Sequence, residues 1–555
     1  MSTAIVQGAS GGFSLPRSQK RLLRWTIFIG FGAMAFGVTN GLGQALNYAD
    51  ISILEWFPGM ETYYQGLTAH GVFNAIVLTF AFANGFLMLT TARGLNKQLK
   101  PGLLHGAFWT LAAGTVLAAW AIFTGRASVL YTFYPPLKAH WTYYAGLALL
   151  VISTWITSIQ LFVLLKEWKA ENPGERIPLL AFISVCTYAM WDIASIGIAV
   201  EVVGLLLPWS LGLIEGADPM LSRTLFWYTG HPIVYFWLLP AYVSWYAMVP
   251  KHAEGKLYSD SLARIVFLMF LCLSIPVGFH HQYTDPGIDA GMKAVHTVLT
   301  FGVFFPSLVT AFSVMSALEL GGRRRGGKGL LGWIRKLPWG RPELSAQLLA
   351  MLTFLLGGIT GLILASYNIN QIVHNTAFVP GHFHMTVGTA VALSFMGIAY
   401  WLVPYLTDRE LWGRKTAVAQ GWVYFVGILI FARGQISGGL EGMPRRTKIV
   451  DAPYAEGQWE LAGILTGVGG TLMFVSAVMF FLVLAGTVLL GEKKEHADIP
   501  FTETLKEPAK TGWEPEMDKF RYWVTAAIVL ILIAYGPWMM KYLPPNLNVP
   551  GFTAF

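Results

Sequence analysis

The histidines of this sequence are unevenly placed, and their placement suggests metal chemistry. Most of the 12 histidines lie in long apolar segments or beside one: His70, His231, His280, His281, His296, His374, His382 and His384. An ionisable side chain inside such a segment is costly and is commonly functional. A single histidine there can instead be a hydrogen-bond donor between helices. The arrangement of the whole set therefore decides which chemistry is favoured.

Two histidines in "GHFHM" can serve two different centres. His382 and His384 are two residues apart, about 200° around a helix, so they point to opposite sides with Phe383 between them. Neutral imidazole is a common axial ligand of haem iron. One helix could thus provide an iron ligand on each side, and His70 is free to pair with one of the two histidines.

A second set of histidines favours copper. His231 and the adjacent pair His280–His281 offer three imidazoles from two helices. Three nitrogen ligands with an open position suit a copper ion that binds a small molecule. Six ligands in total match one haem with two axial histidines, one haem with a single histidine and an open position, and one copper with three histidines.

The segment "TGHPIVYFWLLPAY" adds an oxidisable group beside this copper set. His231 and Tyr235 are four residues apart and share one helix face. Tyr235 therefore points towards the predicted metal. The alternative is a core tyrosine bonded to a backbone carbonyl that Pro232 leaves free.

Long apolar segments must position these residues. The chain has 555 residues, of which 55% are hydrophobic and only 12% charged, as is typical of a protein that crosses a membrane many times. We predict an all-α integral membrane protein of one domain, 1–555, with tails at 1–22 and 542–555. Thirteen transmembrane helices are predicted, near 23–47, 63–91, 103–124, 141–166, 178–208, 222–250, 262–284, 291–318, 345–366, 376–405, 417–438, 459–490 and 520–541.

The charge pattern predicts the orientation. Basic stretches such as "PRSQKRLLR" and "GGRRRGGKGLLGWIRK" fall in every second connection, beginning at the N-terminus. The positive-inside rule places the N-terminus in the cytoplasm and the C-terminus outside. The net charge of +8 is thus a topology signal and no sign of nucleic-acid binding. In this orientation the six predicted ligands lie roughly 5–15 Å below the outer surface.

Six ordered motifs connect these features to a known family: "GLTAHGVFNA", "LYTFYPPLKAHW", "RTLFWYTGHPIVYFWLLPAY", "PVGFHHQYTDPGID", "VHNTAFVPGHFHM" and "PRR". Together they resemble the haem–copper oxidases, specifically the catalytic subunit of the B-type (ba3-type) cytochrome c oxidases. The resemblance covers essentially the whole chain and implies the haem–copper oxidase subunit I fold.

The resemblance implies a role for each histidine. His70 and His384 would ligate a low-spin haem b, and His382 would be the proximal ligand of a high-spin haem of the a type. The ligands implied for one copper ion, CuB, are His231, His280 and His281. In this family the tyrosine at the position of Tyr235 is joined covalently to the copper-ligand histidine and supplies an electron and a proton when the O–O bond breaks.

Two related classes are disfavoured by residues near the copper set. Nitric oxide reductases lack the tyrosine and place glutamates near the metal, whereas this chain has Tyr235 and no glutamate close to His231 or His280. A-type oxidases carry "HPEVY", in which the glutamate ends their D proton channel. Ile233 takes the place of that glutamate here.

Hydroxyl side chains predict a proton path from the cytoplasm. Tyr242 and Tyr246 follow Tyr235 at positions within about 20° of its helix face. The other residues that match the K-type channel of the B family are Ser259, Thr300, Ser307, Thr310 and Ser313. Serine and threonine in membrane helices commonly bond their own backbone instead, an alternative that stays strong for Ser259 and Ser313.

An arginine pair predicts an anion at the outer surface. Arg445 and Arg446 lie in a connection that should be poor in positive charge, and haem propionates would supply the anion. His374 and Asp285 also match the propionate region of the family. Asn370 stands where the family has an aspartate, and its amide can still bond a propionate.

The function implied is that of a terminal respiratory oxidase in a prokaryotic plasma membrane. It would reduce dioxygen to water with electrons from cytochrome c, coupled to proton uptake and pumping. The partners implied are a subunit II with a dinuclear copper site (CuA), a small single-helix subunit, cytochrome c, dioxygen and membrane lipid, with no nucleic acid. The alternatives are a quinol-oxidising oxidase, a nitric oxide reductase relative and, outside the family, a bis-histidine electron carrier or a transporter.

Overall fold

The computed structural model describes residues 13–53, 59–496, 498–505, 512 and 514–547. Of the two predicted tails, residues 1–12 and 548–555 lie outside this described part. Within it, every regular element longer than an isolated bridge is a helix. The predicted all-α fold class is confirmed.

Nineteen α-helices make up the described chain, several of them joined end to end. They are α1 (Arg17–Tyr48), α2 (Tyr63–Gly71), α3 (Thr79–Leu95), α4 (Pro101–Phe123), α5 (Trp141–Glu171), α6 (Leu179–Ala199), α7 (Leu207–Ser210), α8 (Pro219–Gly230), α9 (Pro232–Ala247), α10 (Val249–His252), α11 (Asp260–Leu273), α12 (Ala290–Arg324), α13 (Pro342–Ala365), α14 (Tyr367–Val373), α15 (Phe378–Met385), α16 (Ala392–Thr407), α17 (Arg414–Leu440), α18 (Glu460–Leu490) and α19 (Phe520–Leu547).

Twelve helical spans of the described chain are long and apolar enough to cross a membrane. The predicted span near 262–284 differs, because its helix α11 has only 14 residues and ends at Leu273. Pro276 follows shortly after and has no N–H with which to continue a helix. A short 3-10 turn, Gly278–Gln282, takes its place and carries His280 and His281.

The predicted helix 222–250 is also interrupted at a candidate ligand. His231 lies between α8 and α9, and Pro232 is the first residue of α9. Proline suits this position because the first N–H groups of a helix have no partner within it. His231 is therefore the N-cap of α9, and it still lies one turn before Tyr235.

Two helices widen directly after their candidate haem ligands. A π-helical stretch, Val72–Leu78, follows His70, and a second one, Thr386–Val391, follows His384. Such local widening in an otherwise α-helical span is frequently found at functional sites.

Glycines allow the outer helices to approach one another closely. A Cβ on Gly114 of α4 would lie 2.8 Å from the carbonyl oxygen of Gly146 on α5. A Cβ on Gly469 of α18 would lie 2.3 Å from the backbone nitrogen of Phe431 on α17. Small residues at helix contacts are the usual way in which membrane helices associate. The spans Tyr63–Leu95 and Pro219–His252, which carry His70 and His231, are among the most buried in the bundle.

Candidate metal centres

Three imidazoles converge in the bundle, from the junction of α8 and α9 and from the turn that follows α11. The ligand atoms of His231, His280 and His281 all lie within 4.8 Å of one another, and no other such group of histidine, cysteine and acidic side chains occurs in the described residues. His231 Nδ1 lies 3.2 Å from His281 Nε2, and the rings of His231 and His280 have centroids 4.4 Å apart. We refer to these three residues as the histidine trio.

Neighbouring side chains fix the rings of the trio. His280 Nδ1 lies 3.0 Å from Thr300 Oγ1, whose own proton goes to the carbonyl oxygen of His296. His280 Nδ1–H must therefore donate to Thr300, which leaves Nε2 as the nitrogen free to bind a metal. The His281 ring stacks on Trp227 with centroids 3.8 Å apart and planes at 6°. The trio is thus held in one arrangement by contacts outside itself.

Tyr235 brings a phenol hydroxyl against this group. Its Oη lies 3.0 Å from His231 Nε2, while His231 Nδ1 faces His281. The two nitrogens of His231 thus have different tasks, one towards the other imidazoles and one towards the tyrosine. The shared helix face inferred from the sequence does bring Tyr235 beside His231.

His382 faces the side of α15 that contacts α13. Its Nδ1 lies 3.1 Å from the carbonyl oxygen of Gly357 and 3.0 Å from Thr360 Oγ1, so Nε2 is the free nitrogen. The space beside the ring is limited, because a Cβ on Gly361 would lie 3.2 Å from His382 Cε1. A backbone carbonyl on Nδ1 is the typical support of a metal-binding imidazole.

His70 and His384 form a second, separate arrangement, which we call the histidine pair. Their rings are nearly parallel, with centroids 5.9 Å apart and planes at 12°. His70 Nδ1 bonds the carbonyl oxygen of Gly37 at 2.8 Å, and His384 Nδ1 bonds that of Pro380 at 2.8 Å. Both Nε2 atoms are therefore unprotonated and available, which suits two axial ligands of one haem iron. Phe383, between the two sides of α15, contacts Tyr131 and Trp237.

Two separate hydroxyl contacts join α9 and α12, at residues that follow Tyr235 along α9. Tyr242 Oη donates to Ser307 Oγ at 3.1 Å, and Tyr246 Oη donates to Thr310 Oγ1 at 2.9 Å. Helices α9 and α12 thus place the predicted tyrosines against predicted hydroxyl partners.

The remaining residues of the predicted path lie in different environments. Ser313 is fully buried near Tyr246, and its Oγ has no hydrogen-bond partner within the described part of the chain. Ser259 is the N-cap of α11, where its side chain accepts a hydrogen bond from the Leu262 N–H. Thr300 contacts the trio directly through His280.

Connections between helices bring the predicted arginine pair next to aromatic and amide groups. Arg445 donates to Asn375 Oδ1 at 2.7 Å, and the Arg446 guanidinium lies 5.6 Å from the centre of the Tyr131 ring. Neither arginine forms a salt bridge with a described carboxylate. Burial, and then the charge of Arg446, lower the pKa of Arg445 to about 10. Two adjacent half-buried cations of this kind favour binding of an anion.

The other predicted propionate residues divide into two groups. Asp285 already has a partner, because Arg223 binds its carboxylate through two contacts of 2.8 Å. Asn370 Oδ1 accepts a hydrogen bond of 3.0 Å from His374 Nδ1 and leaves His374 Nε2 facing away. Burial, and then the charge of Arg445, lower the pKa of His374 to about 4, so the imidazole is neutral at physiological pH.

Comparison with known proteins agrees with this geometry. The family model described as "Cytochrome C and Quinol oxidase polypeptide I" matches residues 21–472. Cytochrome c oxidase subunit 1 of Thermus thermophilus is 43% identical over 543 residues, which cover 96% of this chain and 97% of that protein. The chain belongs to this family.

The similarity extends to more distant family members and to a solved structure. Cytochrome c oxidase polypeptide 1 of Halobacterium salinarum is 26% identical over 492 residues, covering 84% of this chain and 78% of that protein. Among solved structures, a haem–copper terminal oxidase dimer determined by cryo-EM matches with a TM-score of 0.90 at 38% identity, over 94% of this chain and 92% of that one. The predicted haem–copper oxidase subunit I fold is confirmed. The chain is accordingly a multi-pass membrane protein for which haem and copper are the expected cofactors.

Several residues that support the site were missed by the sequence argument. Arg223, Trp227, Thr360 and Gly357 each contact a predicted site residue. Arg223 and Trp227 lie within the quoted segment "RTLFWYTGHPIVYFWLLPAY", but the segment does not indicate which residues they contact. Their positions follow from helix packing between segments far apart in the chain. His296 was noted only as one more histidine in an apolar segment.

Proposed function

We propose that this chain is the catalytic subunit of a terminal oxidase that reduces dioxygen to water with electrons from cytochrome c. The observation that carries the proposal is the histidine trio with Tyr235 Oη 3.0 Å from His231 Nε2. The relative from Thermus thermophilus, named cytochrome c oxidase subunit 1, supports the same activity.

Three groups would occupy the imidazoles. The trio would hold one copper ion, CuB, through His231 Nδ1 and the free nitrogens of His280 and His281. His382 would be the proximal ligand of a high-spin haem of the a type, and the histidine pair would hold a low-spin haem b. When bound, these groups supply electron transfer and the site at which dioxygen binds. The fit is supported by the Nδ1 hydrogen bonds that leave Nε2 free on His70, His280, His382 and His384.

Tyr235 has the task of holding a proton beside the oxygen-reducing centre. Its hydroxyl lies against His231 in an otherwise apolar span, and its ring contacts Phe270 with centroids 4.9 Å apart. Such a hydroxyl can deliver a proton and an electron at the centre itself, so no water molecule is needed there as the proton donor. The same group would distinguish the chain from a bis-histidine electron carrier, which needs no such tyrosine.

Protons would reach Tyr235 through the hydroxyls of α9 and α12. The two supporting contacts are Tyr242–Ser307 and Tyr246–Thr310. In the predicted path Thr300 and Ser313 extend this series towards the trio and towards the cytoplasm, and Ser259 lies at the cytoplasmic end of α11. Ile233 makes a glutamate-based route through α9 unavailable.

Haem propionates would bind at the outer loops. Arg445 and Arg446 offer two cations without a described carboxylate partner, and His374, Asn370 and the Arg223–Asp285 pair border the same region. Because the guanidinium groups bind carboxylates in fixed geometry, they would orient the haems with respect to the bundle.

Electrons would arrive from a partner protein. Within the described residues the trio is the only group of three metal-ligating side chains. The dinuclear copper site that receives electrons from cytochrome c would accordingly lie in a second subunit. A small single-helix subunit and membrane lipid complete the proposed assembly. A quinol donor is the second candidate, since the family includes quinol oxidases.

Two measurements test this function. Metal and haem analysis of the purified complex should give two haems and one CuB per chain, beyond any copper in the partner subunit. Oxygen consumption should be supported by reduced cytochrome c. Turnover with quinol alone would reassign the donor, and a preparation with haem but no copper in this chain would favour an electron carrier.

The membrane orientation has its own test. We propose that the N-terminus and the connection at Gly326 are cytoplasmic, and that Ala455 is external in the plasma membrane of a prokaryote, because the basic connections alternate along the chain. Single cysteines introduced at Gly326 and Ala455 should react with an impermeant reagent from opposite sides. Labelling of both from the same side would contradict the proposed orientation.

A further inference from the structure

His296 is a fully buried histidine that the proposed ligand set does not use. It lies on α12, one helical turn before Thr300, and is 0% exposed. Its Nδ1 accepts a hydrogen bond from the Phe279 N–H at 3.2 Å, and its Nε2 lies 2.9 Å from the carbonyl oxygen of Ala534 on α19. Since a carbonyl can only accept, Nε2 carries the proton and Nδ1 is free to accept.

The first of these bonds holds the backbone directly before His280, and the second ties His296 to α19. Phe279 precedes His280, and the Phe279 ring lies against His296 and Tyr535 with centroids 4.3 and 5.0 Å away. One turn of α12 thus holds both the backbone before His280, through His296, and the His280 ring, through Thr300.

A second contact from α19 holds the same turn. Tyr535 Oη accepts from the Gly278 N–H at 3.1 Å and donates to the carbonyl oxygen of Ile275 at 3.2 Å. The fit is close, because a Cβ on Gly278 would lie 2.3 Å from Tyr535 Oη. The end of α11 leaves backbone groups without helical partners, and in a membrane protein such groups need partners from neighbouring segments. Tyr535 supplies two of these partners through its single hydroxyl.

We propose that His296 and Tyr535 are positioning residues that set the His280–His281 turn for copper binding, with α19 as their anchor. The inference rests on the proposed copper site. Helix α19 lies beyond residues 21–472, which the family model matches. Helix α19 would thereby be part of the support of the oxygen-reducing centre.

The test uses the purified complete oxidase with four substitutions. His296→Leu removes both hydrogen bonds, whereas His296→Gln retains one acceptor and one donor on a side chain of similar reach. Tyr535→Phe removes a single hydroxyl. Tyr400→Phe is the matched control, since Tyr400 is a buried tyrosine whose hydroxyl bonds Gln420 between α16 and α17, away from the trio.

Two readouts are independent of turnover. The first is the copper retained per haem after equilibration with a competing chelator. The second is the infrared stretching band of carbon monoxide transferred from haem to copper by light. We expect His296→Leu to lower copper affinity about ten-fold with both haems retained, as is typical when a supporting group of a metal ligand is lost. His296→Gln should recover most of the loss, Tyr535→Phe should shift or broaden the infrared band, and Tyr400→Phe should change neither readout.

The outcomes separate this inference from the proposed function. If the unaltered protein binds no copper in this chain, the proposed function itself fails. If it binds copper and His296→Leu keeps both the affinity and the band, the positioning role is overturned. Should His296→Leu fail to assemble with haem, Tyr535→Phe decides, and an unchanged band with full copper overturns the proposal.

Discussion

The histidine trio and the histidine pair both present imidazoles for metal binding, but the backbone that carries them differs. The pair takes one residue from each of two spans that are helical throughout, each with a π-helical stretch after its histidine, and both rings are held by backbone carbonyls through Nδ1. The trio is built at two breaks in the helices, at the junction before Pro232 and in the 3-10 turn after Leu273. The pair thus lies where helices widen locally, whereas the three converging imidazoles of the trio lie where helices are broken.

The supports of the two sites differ for the same reason. A helix satisfies its own backbone, so the pair needs little beyond Gly37 and Pro380. A break exposes backbone groups that other helices must bond, and Tyr535 and His296 do this at the trio. The trio therefore depends on more distant parts of the chain than the pair does.

Removal of single ligands should produce the largest effects and should separate the two faces of α15. His382→Ala should eliminate the high-spin haem and leave the low-spin spectrum largely unchanged, because His384 points to the other side. His384→Ala should remove the low-spin signal first. Optical spectra of the purified variants measure both, with the exposed His105→Ala as control. Selective loss of the opposite haem would reverse the assignment.

A methyl group added beside His70 or His382 should change the haem spectra less than loss of the ligand does, and by an amount that depends on the space available. A Cβ on Gly41 would lie 2.6 Å from His70 Nδ1, so Gly41→Ala should displace the ring and lower the low-spin haem content. Gly361→Ala brings a Cβ to 3.2 Å from His382 Cε1 and should only shift the high-spin spectrum. Gly32→Ala on the same helix as Gly41 meets nothing within 4 Å and is the control. Equal spectra for Gly41→Ala and Gly32→Ala would contradict the proposed pair.

Loss of a hydroxyl in the proton path should slow turnover without changing either haem. Tyr242→Phe and Thr310→Val preserve shape and remove the groups that contact Ser307 and Tyr246. Thr353→Val is the matched control, because Thr353 is buried and bonds only its own helix, at Leu349. The measurement is oxygen consumption at saturating donor with haem content as the reference. Full activity in both path variants would mean that protons enter elsewhere.

Part of the trio was predictable, because His280 and His281 are adjacent in sequence and His231 stands directly before a proline. The pairing of His231 with Tyr235 follows from helical periodicity, which Pro232 preserves by beginning a new helix at that point. The separation of His382 from His384 follows from the same periodicity. These inferences need only local geometry, which the sequence specifies directly.

The supporting contacts were not predictable in this way. Thr360, Trp227 and Tyr535 reach the site from helices whose packing depends on the whole bundle. The end of α11 at Leu273 was likewise missed, because residues 262–284 are apolar enough to predict one continuous span, and Pro276 was given too little weight. Ser259 was assigned to the proton path from its position at a helix end, where the structure also gives it an N-cap bond.

The central claim is that the trio and Tyr235 together form the oxygen-reducing centre, and Tyr235→Phe tests it most directly. The substitution removes one hydroxyl and leaves the three imidazoles, both haem sites and the packing against Phe270 in place. Steady-state oxygen consumption should be measured on the purified variant, with copper and both haems quantified in the same sample. The account predicts full metal and haem content with oxygen reduction abolished. Near-normal oxygen turnover at full metal content would contradict the account and would mean that Tyr235 has only a structural role.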